Sequence, residues 1–206
     1  MNAAVEAELA AADVTEVAFG RDHKCGGLNA GAAVFRANCS QCHGSGAAGN
    51  KGYPNLLDND WLWGGTVDEI AYTIQHGVRN ETDDSRYSEM PKFGADELLE
   101  DEQIAQVVEY VLSISDQEHD AALAAEGAVV FEENCAACHA EDGTGDIYQG
   151  APNLTDAIWL YGGSREDVHE TVYNARYGVM PAWGLRLSEA EVKAAALYVH
   201  NLGGGE

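Results

Sequence analysis

One five-residue pattern occurs twice in this chain and constrains its fold more than any other feature. Cys39-Ser40-Gln41-Cys42-His43 and Cys135-Ala136-Ala137-Cys138-His139 are both C-x-x-C-H, the attachment signature of a c-type haem. On a helical turn, residues three and four positions apart share one face, so both cysteines can reach the vinyl edge of one porphyrin while the histidine faces its iron. The sequence thus predicts two covalently bound haem c groups. The attachment points are Cys39, Cys42, Cys135 and Cys138.

Two other chemistries also use paired cysteines. A four-cysteine zinc site would require the two pairs to converge across a long gap, and it would leave His43 and His139 unexplained. A redox dithiol normally accompanies a thioredoxin-like βαβ pattern, and no such pattern is visible in this sequence. Haem attachment therefore agrees better with the sequence than either alternative.

Methionine gives an independent indication of haem. Apart from Met1, the chain contains only Met90 and Met180, and each lies downstream of one C-x-x-C-H motif in the context Met-Pro-x-aromatic-Gly. A thioether is a soft ligand that suits haem iron and raises its reduction potential. Core packing is the other interpretation of a methionine, but two core methionines would not be expected to share this context. We expect the axial ligands to be His43, Met90, His139 and Met180.

The two motifs belong to an internal repeat. Residues 31–38 lead into the first motif as residues 127–134 lead into the second, and each half ends with apolar residues at helical spacing. Ser188 and Glu191 predict a capping box at the start of the last helix. The pattern predicts an all-α fold of two tandem class I cytochrome c-like domains, each wrapped around one covalent haem. The expected boundaries are an N-terminal arm (1–27), a first domain (28–115), a linker (116–124) and a second domain (125–206).

The halves differ mainly in the stretch before each Met-Pro context. Residues 79–89 precede Met90, whereas only residues 176–179 occupy the corresponding place before Met180. The longer stretch is either a partner-contact element or a tolerated surface insertion. Insertions in surface loops cost a protein little stability, which favours the second interpretation slightly.

Aromatic residues are the expected lining of the haem pockets, because a domain of under about 100 residues buries a limited core that an apolar porphyrin would enlarge. Indole N–H groups can also donate to haem propionates, although plain aromatic packing explains them about as well. Of the other histidines, His76, His169 and His200 could replace a methionine on iron, and His76 is the main rival in the first half. The residues expected at the pockets or propionates are Trp61, Trp63, Trp159, Tyr161, Phe93 and Trp183.

The charge of the chain excludes one class of partner. Its net charge is −24, from 35 acidic against 11 basic residues. Nucleic-acid binding requires a positive surface and is therefore not expected, and adsorption to anionic lipid is disfavoured. The acidity can steer a cationic electron-transfer partner, or it can preserve solubility in a saline habitat. Because the acids are spread over both halves, the second explanation is slightly favoured.

The start of the chain has neither the basic n-region nor the apolar h-region of a signal peptide, and no apolar run reaches the length of a membrane helix. Covalent haem is attached outside the cytoplasm. We therefore expect a periplasmic protein whose natural gene product carries an export signal or a membrane anchor, removed from this chain. Cys25 is left over from the motifs. A spare thiol is favoured over an intermolecular disulfide, and no role is assigned to it.

The context P-N-L-x-D-x-x-W-L-W/Y-G-G, present at 54–65 and 152–163, is far more specific than C-x-x-C-H itself. Together with residues 174–184 and 198–206, it makes the chain similar, over about residues 28–206, to the periplasmic part of the dihaem subunit III (CcoP or FixP) of cbb3-type cytochrome c oxidases. The resemblance implies that His43 pairs with Met90 and His139 with Met180. It also implies a donor cytochrome c, and transfer onward to the monohaem and catalytic haem–copper subunits. Family members carry a membrane helix ahead of the cytochrome domains, so membrane contact is expected only through a segment absent from this chain.

The expected function is electron transfer without chemistry of its own, relaying single electrons from a donor cytochrome c toward a cbb3-type oxidase core. A free soluble dihaem carrier of the cytochrome c4 type would use the same chemistry without an oxidase. A dihaem peroxidase or a thiosulfate dehydrogenase would need an exchangeable iron position or a reactive cysteine near iron. The two Met-Pro contexts argue against such an enzyme, because a methionine on each iron leaves no open position.

Overall fold

The described part of the chain is helical. The computed structural model describes residues 3–13, 15 and 21–205, and the side chains of all of these except 5, 8 and 21–25. In chain order the helices are α1 (Ala3–Ala11), α2 (Arg21–Asn38), α3 (Ser40–His43), α4 (Val67–His76), α5 (Asp101–Ile114), α6 (Ala121–Asn134), α7 (Ala136–His139), α8 (Arg165–Asn174) and α9 (Glu189–His200), with a 3₁₀ turn at Trp183–Leu185. Strand-like pairing within these residues is limited to isolated bridges, so the all-α prediction is confirmed. None of the helices in these stretches combines the length and apolar character needed to span a bilayer.

Side chains that cap free backbone N–H groups determine where several helices begin. The Thr66 hydroxyl accepts from the N–H of Glu69 (3.3 Å), and the Glu69 carboxylate accepts from the N–H of Thr66 (3.0 Å), which forms a capping box at the start of α4. Ser188 and Glu191 form the same box at the start of α9, as the sequence predicts. These boxes fix the first residues of two helices, and both helices bury one face in the same core.

The amino-terminal helix of each half crosses a carboxyl-terminal helix at a glycine. A Cβ on Gly31 would lie 2.0 Å from the carbonyl oxygen of Ala194, and a Cβ on Gly127 would lie 2.0 Å from that of Gln106. These distances leave no room for a side chain. The backbone of α2 therefore packs directly on α9, and that of α6 packs directly on α5.

The helices group into two compact units that differ from the two sequence halves. The first unit combines the described residues up to Tyr87 with those from Gly178 onward, and the second is Ser88–Tyr177. The last helix of the first half, α5, therefore belongs with α6–α8, while α9 belongs with α2–α4. This division differs from the expected domains 28–115 and 125–206. Its physical reason is the helix crossing, because α5 packs on α6, which follows it, and α9 returns to α2.

Each unit has its own apolar core. In the first unit, part of the predicted N-terminal arm contributes to it, because Leu9 of α1 is buried and Lys193 donates to the carbonyls of Ala10 (3.2 Å) and Ala12 (2.8 Å). The largest buried side chains of this core include Phe35 and Leu197. Those of the second core are Phe131, Ile104, Leu112, Val107 and Val108.

Gly127→Ala is expected to destabilise the second unit. Alanine is the better helix former, but its Cβ would overlap the Gln106 carbonyl, and overpacking of this kind costs about 1–3 kcal/mol. Chemical denaturation followed by circular dichroism measures the loss as a lower midpoint. Gly46→Ala is the matched control, since a Cβ there meets nothing within 4 Å. Equal midpoints for the two variants would contradict the close helix crossing.

Candidate haem-binding sites

Both C-x-x-C-H motifs form the same tight helical turn directly after a long helix. In the first motif, the N–H of Cys39 donates to the carbonyl of Phe35 (2.8 Å), and the N–H of His43 donates to that of Cys39 (3.0 Å). The second motif repeats both bonds, with Cys135 and His139 as donors at 2.8 and 3.0 Å. The turn therefore gives each motif the three-and-four spacing that porphyrin attachment requires.

The two motif histidines are oriented by proline carbonyls. Nδ1 of His43 lies 3.0 Å from the carbonyl oxygen of Pro54, and Nδ1 of His139 lies 3.1 Å from that of Pro152. A carbonyl only accepts hydrogen bonds, so Nδ1 carries the proton and Nε2 presents the lone pair that an iron needs. Burial lowers the pKa of both imidazoles, partly offset by the bond to the proline carbonyl, and this favours the neutral ring. The sequence signal for this partner was the repeated P-N-L, whose contribution the motif analysis missed.

The cysteine thiols do not resemble a redox pair. Burial, followed by the neighbouring thiol of the same motif, raises the pKa of Cys39 to about 11 and that of Cys135 to about 11. Redox dithiols depend on a lowered thiol pKa, so the dithiol alternative is disfavoured. Within the residues that the structure describes, no group of three or more His, Cys, Asp or Glu side chains is placed to hold a metal ion, so the zinc alternative finds no support there.

Each methionine lies in the unit of the other half's haem motif. Met180 packs against the first core together with Cys39, and Met90 packs against the second core together with Cys135. His43 accordingly shares a unit with Met180, and His139 shares a unit with Met90. The structure does not bring together the pairs that the resemblance implies.

The backbone of Met180 is bound by the segment that follows α4. Val78 and Met180 exchange two hydrogen bonds, of 3.0 and 2.9 Å, and Nδ2 of Asn80 donates to the Met180 carbonyl (2.9 Å) and to that of His76 (2.8 Å). Asn80 belongs to the longer stretch 79–89 that distinguishes the first half. This part of the stretch therefore holds a site residue rather than serving only as a surface insertion.

Three of the aromatic residues expected at the haem pockets, Trp61, Trp63 and Trp183, lie in the first unit. The indole N–H of Trp61 donates to the carbonyl of Gly204 (2.5 Å), so that N–H has an acceptor within the protein. Trp63 is buried, and the guanidinium groups of Arg79 and Arg86 each lie 5.7 Å from its ring centre. Trp183 packs against the same core as Met180.

The second unit contains the remaining predicted pocket residues. Phe93 is buried in the second core, and Trp159 packs against that core together with Met90. Tyr161 lies under the guanidinium of Arg176, whose central carbon is 5.1 Å from the ring centre. The equivalent positions Trp63 and Tyr161 are thus both covered by arginine.

Two arginines that the motif analysis missed fit a haem carboxylate. Arg86 and Arg176 hold the same place in the repeated context Arg-Tyr-x-x-Met, which was the available sequence signal. Nη2 of Arg86 donates to the carbonyl of Glu69 (3.3 Å), whereas its Nε is buried without a hydrogen-bond partner. An unpaired buried donor is costly. A porphyrin propionate would supply an acceptor of the right charge, so the residues of this unit fit a haem.

Two of the histidines that could rival a methionine, His76 and His169, have close aromatic neighbours. His76 pairs with Asp84 (3.9 Å) and its ring lies 4.4 Å from that of Tyr72. His169 is exposed and stacks on Tyr173 at 5.9 Å. His200 ends α9, and the side chain of Cys25 lies outside the described residues.

Comparisons with known proteins identify the family of the chain. The family model for "Cytochrome C oxidase, cbb3-type, subunit III" matches residues 26–111 and 122–199. The chain is 64% identical over 206 residues to the Cbb3-type cytochrome c oxidase subunit CcoP of Cereibacter sphaeroides, covering 100% of this chain and 71% of the relative. It is 50% identical over 215 residues to CcoP of Rhodobacter capsulatus (100% and 72% covered), and 52% identical over 180 residues to FixP of Sinorhizobium medicae (87% and 62% covered). The chain therefore belongs to the cbb3-type cytochrome c oxidase subunit III family, as the repeated W-L-W/Y-G-G context predicts.

Proposed function

We propose that this chain relays single electrons from a donor cytochrome c toward the monohaem and catalytic subunits of a cbb3-type oxidase. The observation that carries the proposal is the same arrangement in both units: a C-x-x-C-H turn, a histidine oriented by a proline carbonyl, and a methionine on the same core. The relatives named as oxidase subunits support it. The chain itself supplies no catalytic residue in this account, and the oxygen chemistry belongs to the partner subunits.

The proposed cofactors are two haem c groups, one in each unit. When bound, each supplies a one-electron Fe(III)/Fe(II) couple. Cys39 and Cys42 would hold one porphyrin by thioether bonds, and Cys135 and Cys138 the other. For each electron relayed, the donor cytochrome c is oxidised and the next subunit is reduced, while no bond or proton is exchanged. The protein's part is to bind, to orient the ligands and to set the potential.

The axial ligands are proposed to be crossed between the sequence halves. His43 would share its iron with Met180, and His139 would share its iron with Met90, because each pair lies in one unit and on one core. This pairing differs from the one that the family resemblance implies. A methionine thioether and a histidine imidazole holding the same iron would raise its reduction potential, which suits an acceptor of electrons from a cytochrome c.

The proposed location is the periplasm. Covalent haem is attached outside the cytoplasm, and the relatives are named as subunits of a cbb3-type oxidase. The net charge of −24 provides the field for docking a basic donor cytochrome c.

Rapid mixing with a reduced, basic cytochrome c tests the relay. We expect both haems to be reduced, and we expect the rate constant to fall about tenfold or more as salt is raised, because screening removes electrostatic steering. Stopped-flow absorbance gives the rates. A rate independent of salt would leave adaptation to a saline habitat as the explanation of the acidity, and no reduction at all would contradict the relay.

The crossed ligation predicts a specific nuclear magnetic resonance result. The chain has three methionines, so labelling their methyl groups with ¹³C gives few signals. In the ferrous protein, we expect the Met180 methyl to show Overhauser effects to the haem attached at Cys39 and Cys42. Met180→Ala should remove that ligand and lower the potential of that haem only, while Met90→Ala serves as the control that affects the other haem. Contact of the Met180 methyl with the haem on Cys135 would contradict the pairing.

Asn80→Ala is expected to loosen Met180 on its iron. The variant removes a hydrogen bond to the Met180 carbonyl, and such a bond contributes about 0.5–1.5 kcal/mol. Imidazole should therefore displace methionine from this haem at a concentration roughly two- to tenfold lower. Optical titration of the ferric protein measures the change. Asn174→Ala is the matched control, since that side chain ends α8 and bonds only the exposed Glu170 carboxylate (2.9 Å); equal titration curves would rule out the positioning role of Asn80.

A further inference from the structure

The two glycine crossings are nearly identical, so the crossings alone do not explain the pairing of the helices. Gly31 meets α9 as Gly127 meets α5, with the same 2.0 Å approach. Beside each crossing lies one aromatic pair, Phe35 with Tyr198 at 5.4 Å and Phe131 with Tyr110 at 5.0 Å. Because these residues repeat, α5 could make the same contacts with α2, and α9 could make them with α6. Something outside the repeat has to decide between the two pairings.

One ion pair with a buried carboxylate and a half-exposed guanidinium breaks the repeat. Glu109 of α5 is 6% exposed, and it is the one buried charged residue among the side chains that the structure describes. Arg165 of α8 donates from Nε to Oε1 (2.5 Å) and from Nη2 to Oε2 (3.1 Å), while the N–H of Asp120 donates to Oε2 (2.7 Å). Nη2 of Arg165 also donates to the carbonyl of Glu118 (3.0 Å). The carboxylate is thus fully paired within the second unit.

The first unit has apolar residues at the same two places. When α5 and α9 are aligned so that Val107 matches Ala195, Glu109 matches Leu197. When α4 and α8 are aligned at their capping residues, Thr66 and Ser164, Val67 matches Arg165. Leu197 and Val67 are 1% and 3% exposed in the first core. A Cβ on Gly27 would lie 3.3 Å from Cδ1 of Leu197. Among the side chains that the structure describes, Leu197 and Val67 both belong to a core of apolar residues.

We propose that the Glu109–Arg165 pair selects which carboxyl-terminal helix, and with it which methionine, joins each haem motif. The proposal rests on the crossed ligation proposed above. Met90 lies shortly before α5 and Met180 shortly before α9, so each helix brings its methionine with it. If α5 packed in its own half, the carboxylate of Glu109 would take the place of Leu197 in the first core and lose its bonds to Arg165. A buried charge without a partner is strongly unfavourable.

The ion pair acts by making the alternative arrangement, with α5 packed in its own half, less stable. Replacing a buried ion pair with apolar residues is often neutral or stabilising, whereas removing one partner is costly. Specificity arises because the competing arrangement contains the unpaired charge. Glu109 and Arg165 are therefore positioning residues that act on the methionine ligands through helix choice.

The test uses the full chain with both haems and ¹³C-labelled methionine methyl groups. In Glu109→Leu with Arg165→Val, both units become apolar at these positions, and the variant should fold. We expect a second set of methionine signals, at roughly 10% or more of the total, with Overhauser effects to the haem of the same sequence half. The second variant combines Val67→Arg with Arg165→Val. Only the sequential pairing, in which α5 packs on α2 and α9 packs on α6, then matches Glu109 with an arginine. The second set of methionine signals should therefore become the main one.

The control variant carries four substitutions together: Val67→Arg, Arg165→Val, Glu109→Leu and Leu197→Glu. This moves the ion pair to the first unit, and the crossed set alone should return. If the wild type shows sequential connectivities, the ligation proposed above fails. A different outcome is that the wild type and the Glu109→Leu, Arg165→Val variant both show only the methionine signals of crossed ligation. In that case the crossed ligation stands, and the proposal that the Glu109–Arg165 pair selects the helices is overturned.

Discussion

The position of every proposed haem ligand depends on which two helix backbones touch at Gly31 and Gly127. At these points a side chain on the glycine would overlap a carbonyl oxygen of the crossing helix. The amino-terminal helix ends in the C-x-x-C-H turn, and the carboxyl-terminal helix follows the Met-Pro context. The crossing therefore brings a histidine and a methionine to one core. Because α2 crosses α9 and α6 crosses α5, the methionine comes from the other sequence half in both units.

The chemistry of the sites could be predicted from the sequence, but the pairing of the ligands could not. Two C-x-x-C-H motifs, two Met-Pro contexts and the repeated P-N-L-x-D-x-x-W-L-W/Y-G-G predicted the family, which the comparisons confirm. The Ser188–Glu191 capping box was also predicted correctly. A repeat, however, offers the same contacts to either pairing. Only positions where the halves differ, such as Glu109 and Leu197, distinguish the two arrangements, and such a difference has meaning only once the partner helix is known.

The contexts around the motifs support the ligands directly. The carbonyls of Pro54 and Pro152 determine the tautomer of each motif histidine, which explains why P-N-L accompanies both C-x-x-C-H motifs. The arginines of Arg-Tyr-x-x-Met lie over the aromatic residue of W-L-W/Y-G-G, at Trp63 and Tyr161. The sequence left both a propionate bond and plain aromatic packing open for Trp61, and its indole N–H donates to the carbonyl of Gly204. Only the packed structure could reveal that acceptor.

The proposed electron transfer depends on two closed haem sites, and ligands exchanged between the sequence halves would close them. Anomalous diffraction from crystals of the haem-loaded protein, with selenium in place of the methionine sulfur, tests this most directly. We predict that selenium at Met180 lies in bonding contact with the iron of the porphyrin attached at Cys39 and Cys42, and that selenium at Met90 lies on the other iron. Selenium at Met90 on the iron beside His43, or no selenium on either iron, would contradict the account.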